Sequence, residues 1–366
     1  MWPDHKFMNL AGLELPIIQA PMAGASGSEM VIAVAEAGGL GSLPCAMLDA
    51  SKIDSELTLI RQATDKPVNI NFFCHRPVQL DEFQQEAWRK HLSKYYSELG
   101  VEAPVSQKSA ALAPFDEAKC DILQKHKPEV VSFHFGLPEK SLLDRIKSLK
   151  CRVISTATTV KEARWLEEYG CDAIIAQGYE AGGHRGMFLT DDIASQTGTL
   201  ALVPQIVDAV SVPVIAAGGV ADGRAIAAAF ALGASAVQVG TAYLFTPESL
   251  ISPLHRQALL CADKNESVIT NVFSGRPARS LRNRFINEVG PISIVAPGFP
   301  TAGSALAPLK EKSEASGRMD FSSLWAGQSA RLGREMGAGH LTRQLAKEAI
   351  HRITLMASGR STAYRV

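Results

Sequence analysis

The residues with the clearest chemical potential lie in one short stretch, AQGYEAGGHRG at positions 176–186. It continues an apolar run, AIIAQG (173–178), directly into a glycine-rich turn that carries His184. Glycine lets the backbone come close to a ligand, and an imidazole held there can act as a base or a hydrogen-bond donor near neutral pH. The stretch predicts an enzyme site for a small molecule. The alternative is a tight turn whose histidine faces water, because one glycine-rich turn is a weak motif.

Three uncharged amide side chains stand near the ends of other apolar runs: Asn71, Gln177 and Gln238. Each offers both donors and acceptors of hydrogen bonds, which suits the polar edge of a flat heterocycle such as an isoalloxazine ring. Met22 could pack against one face of such a ring, or it could fill a gap in the core. The amides could instead satisfy backbone groups inside the protein, so both interpretations remain open at this stage.

Two further turns are rich in small residues and predict a phosphate site. AAGGVADG (216–223) holds two adjacent glycines, Gly218 and Gly219, and QVGTAYLF (238–245) holds Gly240. Backbone N–H groups in such turns can bind a phosphate with little help from charged side chains. The alternative is that these glycines only permit tight turns between strands and helices.

These groups follow short apolar runs that alternate with helix-like stretches. Near-continuous apolar strands are buried on both faces, as in parallel sheets covered by helices. Eight such units over about 240 residues predict an α/β fold, a (β/α)8 TIM barrel, with function at the carboxyl ends of the strands; an open doubly wound sheet is the alternative. The eight predicted strands are 15–22, 38–44, 66–73, 129–136, 151–158, 171–178, 212–219 and 234–242.

Two segments interrupt the alternation. Residues 77–128 contain a polar, aromatic-rich helix at 81–100. Residues 246–325 contain seven prolines and few long periodic runs, which predicts an inserted lid over the mouth of the barrel. The predicted domains are therefore a barrel formed by 1–245 and 326–366, and the lid formed by 246–325.

The predicted helix ends agree with the strand–helix alternation of the barrel. Gly170 and Gly233 stand where a helix C-terminus favours glycine, and Asp222 stands where an N-cap is expected. Predicted helices cover 28–38, 50–64, 138–150, 160–170, 199–210, 221–233 and, at the end of the chain, 327–356.

The composition excludes several classes of protein. Lys plus Arg and Asp plus Glu are equal at 37 each, and aromatic residues make up only 7% of 366 residues, so no basic or base-stacking surface for nucleic acid is expected. The six cysteines form no zinc-type cluster and predict reduced thiols. No signal peptide or membrane span is expected. These features predict a cytoplasmic, soluble protein.

The segments together resemble the FMN-dependent nitronate monooxygenases, once called 2-nitropropane dioxygenases. IIQAPMAG, NINFF, VSFHFGLP, AQGYEAGGHRG, AAGGVADG and QVGTAYLFTPES occur in the family's order and spacing, and FSGRPARSLRN and LWAGQ resemble its later segments. The similarity covers essentially the whole chain. VSFHFGLP together with EAGGHRG is most similar to the class I branch.

The resemblance implies a role for each of these turns. His184 would be the catalytic residue that removes a proton from a neutral nitroalkane or hydrogen-bonds a nitronate. His134 and Arg276 are expected nearby as substrate contacts, although His134 could be structural. Arg276 and Arg279 could attract an anionic substrate, or they could pair with surface acids. The FMN-binding residues that the resemblance implies are Met22, Asn71, Gln177, Gly182, Gly183, Gly218, Gly219, Gln238, Val239, Gly240 and Thr241.

The implied reaction is the oxidation of alkyl nitronates, such as propionate 3-nitronate, by O2 to a carbonyl compound and nitrite, a detoxification. FMN carries the redox chemistry, and the family needs neither a metal nor NAD(P)H. The protein is expected to be a monomer or a homodimer. Gly303 and Ala307 predict an open, uncharged wall of the substrate cavity, at positions where some relatives place aromatic and basic residues.

Other functions fit the same barrel. Flavin-dependent enoyl-acyl-carrier-protein reductases and NADH:quinone reductases have a similar glycine–histidine turn but need a nicotinamide donor, and fold alone does not separate them. A non-catalytic flavin-binding barrel and a phosphosugar-binding barrel without flavin are further alternatives.

Overall fold

A computed structural model describes residues 1–76, 81–104, 112–261 and 266–358. Its main element is a sheet of eight parallel strands; a second, antiparallel sheet of three strands lies beside it. The parallel strands are β1 (Ile17–Gln19), β2 (Gly41–Pro44), β3 (Val68–Phe73), β4 (Val130–His134), β5 (Arg152–Ala157), β6 (Ala173–Gln177), β8 (Val214–Ala217) and β9 (Ala236–Val239). The antiparallel strands are β7 (Gly183–His184), β10 (Ser267–Thr270) and β11 (Ala278–Leu281).

The parallel sheet closes on itself. Its order is β1-β9-β8-β6-β5-β4-β3-β2, and a parallel bridge between Ile18 and Leu40 joins the two ends. The backbone N–H of Leu40 donates to the Ile17 carbonyl at 2.9 Å, and the N–H of Gln19 donates to the Leu40 carbonyl at 3.0 Å. All eight predicted strands are present within their predicted ranges, so the TIM barrel is confirmed and the open doubly wound sheet is wrong.

The helices of the described residues cover the outside of the barrel and part of its mouth. They are α1 (Lys6–Ala11), α2 (Ser28–Glu36), α3 (Ala50–Ala63), α4 (Glu82–Leu99), α5 (Glu117–His126), α6 (Lys140–Ser148), α7 (Val160–Glu168), α8 (Thr199–Val207), α9 (Gly223–Ala231), α10 (Pro253–Leu260), α11 (Arg284–Val289), α12 (Ala302–Ala315) and α13 (Ala338–Ala357). None of these combines the length and the apolar character that a membrane crossing requires.

The helices differ from the sequence prediction in number and at one boundary. The sequence analysis did not predict α1, α5 or, within residues 246–325, α10, α11 and α12. Helix α1 is only six residues long, too short to show a periodic pattern, and α5 is mostly polar. The last helix begins at Ala338 rather than near position 327, because the chain from Gly327 to Ser329 lies against the barrel ends: the Gly327 N–H donates to Thr241 Oγ1 at 2.9 Å, and Ser329 Oγ donates to the Gly219 carbonyl at 2.8 Å.

Residues 246–325 carry α10, β10, β11, α11 and α12. Helix α12 packs against α4, and a second hydrophobic cluster forms between them that includes Trp88, Tyr96 and Phe285. Trp88 Nε1 donates to the Ala302 carbonyl at 3.1 Å and the Tyr96 hydroxyl donates to the Ala305 carbonyl at 2.7 Å. The two segments that interrupt the barrel alternation therefore support each other. The division into a barrel and a lid stays a prediction.

The predicted N-cap of α9, Asp222, can be tested by substitution. The Asp222 side chain accepts from the N–H groups of Arg224 and Ala225 at 2.9 and 3.2 Å. Asp222→Ala should lower the free energy of unfolding by about 1 kcal/mol, measured by denaturant unfolding. Asp222→Asn keeps the cap and loses only a half-exposed ion pair with Arg224, so it should cost a few tenths of a kcal/mol. Equal losses would contradict the cap assignment.

Candidate active site

The carboxyl ends of the barrel strands surround a cavity of about 560 Å³, a size typical of small-molecule sites. Two of the residues predicted for the site do not line it. Val239 is fully buried in the barrel core, and the Arg276 guanidinium lies 4.1 Å from the centre of the Phe135 ring. The predicted residues that do line the cavity are Met22, Asn71, His134, Gln177, Gly182, Gly183, His184, Gly218, Gly219, Gln238, Gly240 and Thr241.

One end of the cavity is built from small residues and main chain. Gly218 follows β8 with φ of +110°, a conformation that L side chains rarely adopt. A Cβ there would lie 2.9 Å from Thr199 Oγ1 and 3.1 Å from the Ala181 nitrogen, so a side chain would fill this turn. Among the described residues, Lys310 is the one lysine or arginine on the cavity wall. A phosphate at the β8 and β9 ends would therefore be bound chiefly by backbone N–H groups and hydroxyls.

The three predicted amides have different surroundings. Gln177 serves the backbone: Nε2 donates to the His184 carbonyl at 3.0 Å, and Oε1 accepts from the Gly186 N–H at 2.8 Å. Asn71 Nδ2 donates to Ser132 Oγ at 2.9 Å. Gln238 Oε1 is buried and has no hydrogen-bond partner in the described protein. A buried acceptor without a partner is costly, so Gln238 is the amide most in need of a ligand donor.

Met22 lies near the β9 end of the same cavity. A Cβ at Gly240 would stand 3.8 Å from its sulfur atom, an ordinary van der Waals distance. Met22 is half-buried and also packs against the barrel core, so both interpretations of this residue, ring contact and gap filler, fit its position. The glycine turn, the unmet acceptor of Gln238 and the thioether of Met22 together fit a ligand with a phosphate tail and a flat polar ring.

His184 is held on strand β7. This two-residue strand pairs antiparallel with β11, with His184 opposite Ala278, and His184 Nε2 lies 2.9 Å from Ser274 Oγ. Burial, followed by the positive charge of Arg276 and the imidazole of His75, lowers the pKa of His184 to about 4. The imidazole is therefore neutral at pH 7 and able to accept a proton.

His134 supports the same turn. Its Nε2 lies 3.2 Å from the His184 carbonyl and its Nδ1 lies 3.1 Å from Thr156 Oγ1. Burial, followed by the neighbouring His184, lowers the pKa of His134 to about 3. A neutral His134 that donates from Nε2 and accepts from Thr156 satisfies both contacts. The hydrogen bonds of His134 therefore fit a structural role, although its ring lines the cavity.

Two buried arginines, Arg279 and Arg185, hold the turn that carries His184, and the sequence analysis did not assign Arg185 to the site. Arg185 is fully buried and donates to the carbonyls of Gln177 and Gly178, each at 2.8 Å. Arg279 donates to the Tyr179 carbonyl at 2.8 and 3.0 Å. The sequence prediction that Arg279 either attracts an anionic substrate or pairs with surface acids is wrong, because its guanidinium is buried against main-chain carbonyls. Only the tertiary fold brings these carbonyls to the arginines.

Aromatic rings surround the His184 imidazole. Trp325 and Phe299 lie with ring centres 5.3 Å from it, and Phe135 and Phe73 lie at 6.2 and 6.4 Å. Such walls keep water away from a bound ligand and strengthen electrostatic interactions inside the site. The surroundings of the His184 imidazole are therefore apolar.

Another part of the cavity wall differs from the sequence prediction. Gly303 and Ala307 do not line the cavity, but Lys310 and Glu314, from the same helix α12, do. The expectation of an uncharged wall is therefore wrong, because the helix turns its Lys310 and Glu314 positions inward. His255 of α10 lies on this wall too, and burial lowers its pKa to about 4.

The fold and the cavity define an enzyme of the (β/α)8-barrel class that binds a small molecule at the carboxyl ends of its strands. A family model described as nitronate monooxygenase matches residues 5–348. The chain is 42% identical over 345 residues to a nitronate monooxygenase of Pseudomonas aeruginosa, an alignment that covers 94% of this chain and 98% of that protein.

Solved structures are also similar to this chain over nearly its whole length. A nitroalkane oxidase from Streptomyces ansochromogenes superposes with a TM-score of 0.87 at 37% identity, over 96% of this chain and 99% of that one. FabK from Thermotoga maritima is more distant, with a TM-score of 0.72 at 28% identity over 96% and 98% of the two chains. This chain belongs to the nitronate monooxygenase family. Its relatives indicate a flavin-dependent oxidoreductase.

Substituting Gly218 tests the phosphate end of the cavity. Gly218→Ala forces a side chain into a positive-φ turn, at a cost of about 1–3 kcal/mol, and we expect the turn to move and flavin binding to weaken about tenfold or more. The flavin content of the purified protein, measured from its visible absorbance, checks this. Gly298→Ala is the control, because a Cβ there meets nothing within 4 Å. Equal flavin content in both variants would contradict the assignment.

The charge of Arg276 gives a second test. Arg276→Met removes a positive charge that lowers the pKa of His184, so that pKa should rise from about 4 toward its ordinary range. The acid-to-neutral transition of the His184 ring would then occur at higher pH, as followed by NMR of labelled histidine. Arg276→Lys keeps the charge and should leave the transition near its original pH. A transition unmoved by Arg276→Met would disprove the electrostatic link.

Proposed function

We propose that this protein is a nitronate monooxygenase that uses FMN and O2 to convert alkyl nitronates into carbonyl compounds and nitrite. The observation that carries the proposal is the half-buried imidazole of His184, held on a fixed turn beside a cavity whose other end fits a phosphate. Family membership supports the same reaction. The reduced state of the cysteines supports a cytoplasmic location, since all six are free thiols.

The cavity residues fit FMN in two respects. Gly218, Gly219, Gly240 and Thr241 would hold the phosphate through main-chain N–H groups and a hydroxyl. Gln238 Oε1, which has no partner in the described protein, would accept from the polar edge of the ring. FMN would supply electron transfer between the substrate and O2.

His184 would accept the proton that a neutral nitroalkane loses. The low pKa of His184 keeps the ring neutral before the substrate arrives, because burial and Arg276 disfavour a second positive charge. A nitronate carries a negative charge, and an adjacent anion raises the pKa of an imidazole. The imidazolium and the nitronate therefore stabilise each other as the proton moves from carbon to nitrogen. A preformed nitronate needs only a hydrogen bond from this ring.

The surroundings also favour an anionic substrate. Arg276 lies close enough to lower the pKa values of His75, His134 and His184, so its positive charge reaches the reactive end of the cavity. Phe299 and Trp325 exclude water from the same region, which strengthens this attraction. Arg276 would thus act on the substrate through its field rather than by direct contact.

The proposal is tested with the purified yellow protein. Ethyl nitronate and O2 should yield nitrite and acetaldehyde, and the nitronate alone should bleach the flavin without oxygen. NADH should not bleach it on the turnover timescale. Bleaching by NADH together with inertness toward nitronates would overturn the proposal in favour of the flavin-dependent reductases. A colourless protein that FMN does not reconstitute would exclude both.

Replacing His184 tests its role directly. His184→Asn removes the proton acceptor, so kcat/KM for nitroethane should fall by about 10²–10⁴-fold, the usual contribution of a general base. Oxidation of preformed ethyl nitronate should fall much less, because that substrate has already lost its proton. Bound FMN should be unchanged, which serves as the folding control. Equal losses for both substrates would remove His184 from proton transfer.

A further inference from the structure

We propose that Ser274 is a positioning residue that fixes the tautomer of His184, so that the proton-accepting nitrogen, Nδ1, is the one left for the substrate. This inference rests on the proposed function and concerns only the turnover of neutral nitroalkanes.

The hydrogen bonds around the hydroxyl of Ser274 carry the inference. Ser274 Oγ lies 2.9 Å from His184 Nε2 and donates to the Arg276 carbonyl at 3.3 Å. A serine hydroxyl has one hydrogen. Once that hydrogen is directed at the Arg276 carbonyl, Ser274 can only accept from His184, so Nε2 carries the hydrogen and Nδ1 holds the lone pair. The proton from the substrate carbon then goes to Nδ1, and the electrons of the broken C–H bond remain on the nitronate.

The backbone holds Ser274 firmly in this position. The strand that follows it, β11, pairs with β7 beside His184, and the Arg185 N–H donates to the Pro277 carbonyl at 2.9 Å. Gly275 has φ of +85°, and a Cβ there would clash with the Pro297 carbonyl oxygen. The turn that carries Ser274 is therefore tied to the histidine strand on one side and packed against backbone on the other.

The groups around His184 favour a neutral hydroxyl, rather than a carboxylate, as the hydrogen-bond partner of its imidazole. The charged or titratable side chains that act on the ring are Arg276 and His75, and His134 lies beneath its carbonyl. Among the described residues, no carboxylate hydrogen-bonds to this imidazole. A carboxylate would fix the tautomer equally well, but its charge would repel a nitronate. A neutral hydroxyl orients the ring without that repulsion.

Three variants test the inference. Ser274→Ala should lower kcat/KM for nitroethane by about 10- to 100-fold, less than loss of the base itself, and should leave ethyl nitronate oxidation within about threefold. Ser274→Thr keeps the hydroxyl and should recover most of the nitroethane activity. Ser280→Ala removes another buried hydroxyl, on β11, which bonds only main chain, and should affect both substrates equally or not at all.

Nitrogen NMR of wild-type protein gives a readout that needs no variant to fold. The His184 signals should report hydrogen on Nε2, and Ser274→Ala should shift the ring toward a mixture of tautomers. Hydrogen on Nδ1 in the wild type, or equal losses for both substrates in Ser274→Ala, would overturn the role of Ser274. Nitronate turnover without any nitroalkane turnover would also overturn it while leaving the proposed function intact. Absence of both activities would instead refute the proposed function.

Discussion

The whole site depends on the hydrogen bonds that hold the backbone carbonyl of His184. The carbonyl oxygen of His184 accepts from Gln177 at 3.0 Å and lies 3.2 Å from His134 Nε2. These two side chains come from different barrel strands, so they fix the backbone of the histidine turn relative to the barrel. Loops normally hold functional groups less firmly than strands do. Here hydrogen bonds to the barrel strands fix the backbone of His184, the residue proposed to accept the proton.

The same arrangement sets the distribution of charge around the histidine turn. Arg185 and Arg279 are buried with their guanidinium groups on main-chain carbonyls, and burial lowers the pKa of Arg185 to about 10. A buried cation is tolerated only where several acceptors converge on it, and the glycine-rich loop supplies them. The region beneath the turn is therefore positive, while the histidines above it stay neutral. That combination favours anions without placing a formal ion pair on the reacting atoms.

The barrel was predictable because its strands are continuous apolar runs, a pattern with few structural interpretations. The glycines and His184 were predictable as site residues because they follow such runs directly. Strand β7 was not, since its two residues form a strand only by pairing with Ala278 and Arg279, about a hundred positions away. Likewise Lys310 and Glu314 reach the cavity only because α12 packs on α4, which no local pattern encodes. The second role of Gln177, as a backbone partner, depends on the same tertiary contacts.

The seam of the barrel has a consequence for how firmly its wall is held. Strands β1 and β2 are joined by one bridge, and a side chain reinforces it: Gln19 Oε1 accepts from the Ser42 N–H at 2.8 Å. Ser42 Oγ in turn accepts from Asn69 at 3.0 Å. Opening of the barrel at this seam would break two backbone hydrogen bonds and the Gln19–Ser42 bond rather than a longer ladder. The seam lies directly below the loop that carries Met22, so the barrel wall beneath that loop is held by fewer inter-strand pairs than the neighbouring strands share.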